Sequence, residues 1–238
     1  MSISMRLGIF GGTFNPIHFG HLRVAEEVRD VCSLDRVLFL PSGIPPLKDT
    51  GLAAAEHRYA MTAAATASNR YFEVSDLEIR QPGKSYTVDT LKTLCAHHAG
   101  DEIFLILGMD AFLELPLWRR PETLVTMVDF IVVSRPGHEV GNISGTPYVK
   151  RTSADAVPGA GEDTVPPPAE SASESPSLPY PSHVFDLTSG RKALVIAVTP
   201  LDISSTGIRR LVRSGRSITY LVPGEVESYI LARGLYKH

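Results

Sequence analysis

Cysteine is nearly absent from this chain: Cys32 and Cys95 are the only two in 238 residues, and they do not form a CxxC pair. A disulfide framework is thereby excluded as the source of stability, and both residues, set in apolar helical contexts, read as buried thiols of a reducing compartment. An excess of one charge is missing too. Lys plus Arg number 23 and Asp plus Glu 26, a formal net charge of -3, which leaves no electrostatic footprint for wrapping nucleic acid. Any phosphate binding must therefore be local. No run of about 18 apolar residues occurs, and Met1 to Arg6 pass straight into a glycine-rich turn without an apolar signal core. The sequence accordingly predicts a soluble, cytoplasmic protein with no membrane partner. There is no internal repeat, and no pattern speaks to oligomeric state.

What is present is alternation. A length of 238 residues suits one α/β domain carrying an insertion, and it suffices for a full hydrophobic core. Short apolar runs at residues 7–10, 37–41, 71–74, 103–107, 130–134 and 194–198 predict strands. Amphipathic stretches fall between them. One covers residues 20–31, with Leu22, Ala25, Val28 and Val31 on one face; another covers about 86–98, with Val88, Leu91 and Leu94 inward. Two short helices close the chain, one from the cap signal Ser204-Ser205-Thr206 to near Gly215, the other with Pro223 in its first turn and Gly234 as C′ glycine. This order predicts a doubly wound, Rossmann-like α/β fold: a mainly parallel sheet, helices on both faces, and a site beyond the C-terminal strand ends. The exception is about 139–189, where Pro166-Pro167-Pro168 and a Glu/Ser-rich run accompany no sustained apolar period. It is expected to be a mostly disordered insertion within a single domain, 1–238.

The most informative stretch is Gly8-Ile9-Phe10-Gly11-Gly12-Thr13-Phe14-Asn15-Pro16-Ile17-His18-Phe19-Gly20-His21, in which a buried strand opens into a glycine turn and a helix follows. Such a junction suits phosphate. Glycines let the backbone approach an anion, freed amides point at it, and the helix adds its positive N-terminal end. The pattern is neither G-x-G-x-x-G nor G-x-x-x-x-G-K-[ST], which argues against a nicotinamide dehydrogenase or a P-loop ATPase. His18 and His21, three apart at the helix start, share a face and can donate hydrogen bonds to phosphate oxygens. A zinc site would need the glutamate of H-E-x-x-H and a third ligand; both are lacking, so no protein-held metal is assigned.

The run Gly11 to His21 resembles the signature of the HxGH nucleotidyltransferase superfamily, and is most similar to that of the bacterial nicotinate-nucleotide adenylyltransferases. A second signature agrees. Ile203-Ser204-Ser205-Thr206-Gly207-Ile208-Arg209 is similar to the family's I-S-S-T-x-I-R, which holds the triphosphate; hydroxyls and amides at a helix start beside a guanidinium suit an anion on physical grounds as well. Pro41-Ser42-Gly43-Ile44-Pro45-Pro46-Leu47-Lys48 resembles the loop after the second strand, with Lys48 at a phosphate-facing position. Arg58 also matches a family arginine, although an exposed helix arginine explains it equally. Ser85-Tyr86-Thr87-Val88-Asp89-Thr90-Leu91 resembles the stretch that receives the pyridine ring and its carboxylate; with Ser85 as N-cap, the amides of Tyr86 and Thr87 would be free for that carboxylate. Gly108-Met109-Asp110 and Leu115-Pro116-Leu117-Trp118-Arg119 extend the match. Trp118 can stack on the pyridine or anchor the loop. Asp110 suits sugar hydroxyls or metal-bound phosphate, and Arg135, at a strand end, is expected near the adenine. Two positions depart from the pattern, with Asn15 where many members have Asp and Leu47 where many have His.

The resemblance covers about residues 5–138 and 192–236. It implies an enzyme of NAD biosynthesis that transfers the adenylyl group of ATP to nicotinate mononucleotide, giving nicotinate adenine dinucleotide and pyrophosphate, with Mg2+ accompanying ATP. On this reading His18, His21 and Arg209 are catalytic, while Gly11, Gly12, Thr13, Phe14, Lys48, Arg135, Ser205 and Thr206 hold ATP and its phosphates. Ser85, Tyr86, Thr87, Asp110 and Trp118 hold the pyridine nucleotide. Two other readings stay open at this level: an adenylyltransferase for nicotinamide mononucleotide, and a nucleotide-binding sensor without turnover.

Overall fold

Along residues 102–108, Ile103, Leu105 and Leu107 pack on one side while Phe104 and Ile106 pack on the other, and all five are buried. A strand buried on both faces needs helices on both faces, and that sets the architecture. The computed structural model of the chain describes residues 4–45, 51–134, 143, 145–150 and 183–237. In chain order its elements begin with β1 (Arg6–Gly12), α1 (Phe19–Val31), β2 (Arg36–Pro41), α2 (Ala55–Thr66), β3 (Phe72–Val74), α3 (Leu77–Arg80) and α4 (Thr87–His97). There follow β4 (Glu102–Gly108), α5 (Met109–Leu113), a 3-10 turn (Leu115–Leu117), α6 (Pro121–Met127), β5 (Asp129–Ser134), β6 (His183–Asp186), β7 (Lys192–Ala197), α7 (Ser205–Arg213) and α8 (Gly224–Arg233).

The strands form one seven-stranded sheet of order β3-β2-β1-β4-β5-β7-β6. Every pairing is parallel except β6 with β7. The chain winds outward from β1 through β2 to β3, then returns to place β4 on the other flank of β1. The crevice between the C-terminal ends of β1 and β4 is therefore the topological switch point, where a doubly wound sheet leaves room for a ligand. One core, containing Leu91, Phe112 and Phe130, lies against one face; the other, containing Val28, Met61, Ile208 and Ile230, lies against the opposite face.

All six expected strands are present, and the helices expected at 20–31, 86–98 and the C-terminus lie within a residue or two of their predicted bounds. Gly234 ends α8 in the left-handed region with φ 60°. Helix α2 is expected only as the setting of Arg58 and not from periodicity, and its composition explains why: its buried face is Arg58, Met61, Thr62, Ala65 and Thr66, which carries no apolar period. Thr62 and Thr66 satisfy their hydroxyls by donating to the carbonyls of Arg58 (2.8 Å) and Thr62 (2.9 Å). Parts of the stretch 139–189, expected to be a mostly disordered insertion, pack as regular structure. Ile143, Val149 and Leu187 are buried, Val149 bridges Leu187, and β6 adds an antiparallel edge strand. The stretch 151–182 lies outside the described residues. Cys32 is buried and Cys95 half-buried, both are free, and burial pushes the Cys32 thiol up to about 11. Among the described residues no helix is long and apolar enough to cross a membrane.

Candidate active site

Strand β1 ends in the glycine turn. At Gly11 a Cβ would meet open space, whereas at Gly12 it would come within 2.9 Å of the Phe14 ring. Phe14 itself turns through φ 45° and buries its ring against Phe10, Phe39 and His21. Its side chain is thus the floor of the turn, packed on other rings and without a polar atom to offer a phosphate. His18 is the N-cap of α1, and His21 sits one turn in with its ring 3.8 Å from that of His18. The backbone N–H of His18 donates to Nδ1 of His21 at 3.3 Å. In that bond Nδ1 is the acceptor, which is the role it has in the neutral tautomer protonated on Nε2. The pair therefore both caps the helix and lines a cavity.

That cavity, about 440 Å3, lies between α1 and the ends of β4, β5 and β7, and is lined by His18, His21, Gly108, Asp110, Thr199 and Ser205 among others. Glu27 of α1 pins its far wall by accepting the Thr199 amide at 2.8 Å. Helix α7 closes it from below. Ser204 caps α7 by accepting the Gly207 N–H at 3.1 Å, and Ser205 donates its hydroxyl to the Pro16 carbonyl at 2.8 Å. Arg209 reaches across to the Asn15 carbonyl at 2.8 Å and to Thr206 Oγ1 at 3.2 Å. The second signature is thus tied directly to the first, 194 residues apart.

On the other side of the turn lies a second cavity of about 630 Å3, between Thr13, Pro45, the Ser85 to Val88 start of α4, Trp118 and Arg119. A smaller recess of about 190 Å3 continues beneath it, reaching Gly11, Gly12, Glu78 and Thr90. Ser85 is not the cap of α4; Tyr86 is. Ser85 is instead buried, accepting the Gly43 N–H at 3.1 Å and donating to Glu78. Thr90 donates to Glu78 Oε1 at 2.8 Å. Arg58, only 1% exposed, completes this network. It donates to the carbonyls of Ala53 (3.0 Å), Thr13 (2.9 Å) and Gly43 (2.7 Å), so an arginine explained equally well by exposure proves to be the buried tie between the turn and the loop after β2. Burial lowers the Arg58 pKa and raises that of Glu78, the latter opposed by Thr90, Ser85 and the Arg58 charge. Gly43 fits between them because it has no side chain: a Cβ there would lie 2.3 Å from the Glu78 carbonyl oxygen.

A family model described as cytidylyltransferase-like matches residues 9–211. A protein of Pelobacter propionicus named probable nicotinate-nucleotide adenylyltransferase is 43% identical over 234 residues, covering 98% of each chain. One of the same name from Geobacter metallireducens is 44% identical over 237 residues, covering 98% of this chain and 99% of its own. The chain belongs to the nicotinate-nucleotide adenylyltransferase family. Among solved structures, the Plasmodium falciparum nicotinic acid mononucleotide adenylyltransferase complexed with NaAD superposes with a TM-score of 0.69 at 18% identity, covering 98% of both chains, a likeness of fold.

For this family member, the structure gathers the sequence-predicted residues unequally. His18, His21, Ser205 and Asp110 line the first cavity; Thr13, Ser85, Tyr86, Thr87 and Trp118 line the second. Asp110, expected with the pyridine nucleotide, thus stands on the histidine side. Lys48, Leu47 and Arg135 lie outside the described residues. Sequence reasoning missed Glu78 and Tyr236. Asn15, noted only as a departure, is a junction: its amide donates to the Gly51 carbonyl (3.0 Å), and its Oδ1 accepts from the Ala53 N–H (3.1 Å) and the Tyr236 hydroxyl (2.8 Å). An aspartate could accept the last two bonds but, when ionised, could not donate the first. No signal in a single sequence marks Tyr236, whose partner is 221 positions away.

Proposed function

We infer that this chain transfers the adenylyl group of ATP to nicotinate mononucleotide, forming nicotinate adenine dinucleotide and pyrophosphate. The observation that carries this reading is the partition. Two cavities flank the Gly11-Gly12-Thr13 turn and share no lining residue, with paired histidines on one side and an aromatic slot on the other. ATP takes the first cavity and the pyridine nucleotide the second, so the groups that react meet at the turn.

The phosphate of nicotinate mononucleotide attacks the α-phosphorus of ATP in line; the new P–O bond forms as the bond to the β-phosphate oxygen breaks and pyrophosphate leaves. The attacking phosphate is already anionic near neutral pH, so no general base is required. Catalysis rests on positioning and on neutralising charge. His18 and His21 donate to the reacting phosphates, and Arg209 with the start of α7 receives the leaving portion. Among the described residues no cluster of three or more His, Cys, Asp or Glu could form a metal cage. Mg2+ would accompany ATP, and Asp110 is the carboxylate that lines the first cavity. The free thiols agree with a cytoplasmic setting.

The test is pyrophosphate release with ATP and Mg2+, comparing nicotinate mononucleotide with nicotinamide mononucleotide at equal concentration. Release favouring the acid is expected; release with neither overturns the substrate assignment.

A further inference from the structure

Two charged side chains stand among the described residues lining the aromatic cavity, Glu114 and Arg119, and both are exposed at its rim. The guanidinium carbon of Arg119 lies 4.4 Å from the centroid of the Tyr86 ring. No described carboxylate stands within ion-pair distance of it. A guanidinium stacked on an aromatic face is held by that face and keeps its edge N–H groups available for an anion in its own plane. Tyr86 is itself the N-cap residue of α4, so the stack places a full positive charge beside the helix end that opens into this cavity.

We propose that Arg119 is a specificity-determining residue that favours a pyridine nucleotide bearing a carboxylate over one bearing a carboxamide. This rests on the aromatic cavity being the one that receives the pyridine. A helix N-terminus alone discriminates weakly, because a carboxamide oxygen also accepts from backbone amides. Net charge separates the two ligands. Glu114 repels the carboxylate from the same rim where Arg119 attracts it, and the neutral carboxamide responds little to either. The two residues therefore act in opposite senses on the acid-to-amide ratio. A residue with a packing role alone would not move that ratio.

Turnover of nicotinate mononucleotide by the unaltered enzyme is measured first; its absence would mean that the reading of the site has failed, not the role of Arg119. The ratio of kcat/KM for acid over amide is then compared, using an inhibition constant for the amide where its turnover is slow. Arg119→Gln should lower the ratio about tenfold, the effect of one solvent-screened charge-assisted contact. Arg119→Lys should stay within about threefold of the unaltered enzyme, since charge is kept and only fork geometry is lost. Glu114→Gln should raise the ratio about twofold, as expected of a rim charge. Equal losses on acid and amide in Arg119→Gln would assign the guanidinium to the shared phosphate or to packing and overturn the proposal, as would an unchanged ratio. Should Arg119→Gln fail to fold, an unchanged or lowered ratio in Glu114→Gln overturns it alone.

Discussion

The two cavities flanking the glycine turn are built by different means. The histidine side is assembled from the ends of secondary structure: a helix start, the exits of three strands and a capped second helix, joined by hydrogen bonds to backbone carbonyls such as those of Pro16 and Asn15. The aromatic side rests on a buried network in which Arg58 and Glu78, of opposite charge, are joined through the Gly43 peptide and the Ser85 hydroxyl. The first kind of wall tolerates loss of one contact, because helices and strands persist without it. The second does not. A buried charge left without its partner is far more costly than any single neutral hydrogen bond.

The sharpest way to break this contrast is Arg58→Met, which strips donors from the carbonyls of Ala53, Thr13 and Gly43 and leaves Glu78 without its compensating charge. A loss of about 3–5 kcal/mol in unfolding free energy is expected from urea titration; a loss below about 1 kcal/mol would show that the network is not needed for stability. On the histidine side the corresponding change, His21→Ala, should act on rate and leave the fold intact. Turnover should fall by about 10²–10³, the usual effect of removing one donor aimed at developing charge, with a thermal midpoint only slightly lowered by the lost cap. Near-normal turnover would remove His21 from the mechanism.

The smallest effect expected is a pH dependence. Burial raises the Glu78 pKa, so the native state holds that proton to higher pH than the unfolded chain does. The unfolded state then binds fewer protons in the interval, and Glu78 contributes stability that is present in acid and declines as pH rises from the ordinary carboxylate range through its folded value. Unfolding titrations of the unaltered protein and of Glu78→Gln across that range should diverge accordingly, with the unaltered protein losing ground as pH rises. Parallel curves would mean that Thr90, Ser85 and Arg58 cancel the effect of burial entirely.

The same contrast explains what was legible in the sequence. The sheet, its order of units and the local geometry of the histidine side could be read because each rests on local signals: apolar runs, a glycine turn between strand and helix, and the cap at Ser204 that the structure uses. The aromatic side was read only by resemblance, and its residue-level physics went astray. Ser85 looks like a cap because Ser before a helix usually is one, yet its hydroxyl is taken by Gly43 and Glu78, 42 positions upstream in the first case. Arg58 looks exposed because arginine in a polar, alanine-rich helix usually is; its burial depends on three carbonyls brought to it by the fold. Long-range polar contacts leave no period and no composition bias. Only the packed chain reveals them.

The turn that separates the cavities also acts as a gauge of length. On the proposed reading each mononucleotide half takes its own chamber, and a molecule reaching over the turn engages both chambers for a single loss of translational freedom, its second half being presented at a high local concentration. The dinucleotide made here is such a molecule. It is therefore the natural tight binder of its own enzyme, and a linker one atom too short or too long to clear Gly11 and Gly12 would forfeit that advantage whichever two end groups it carried.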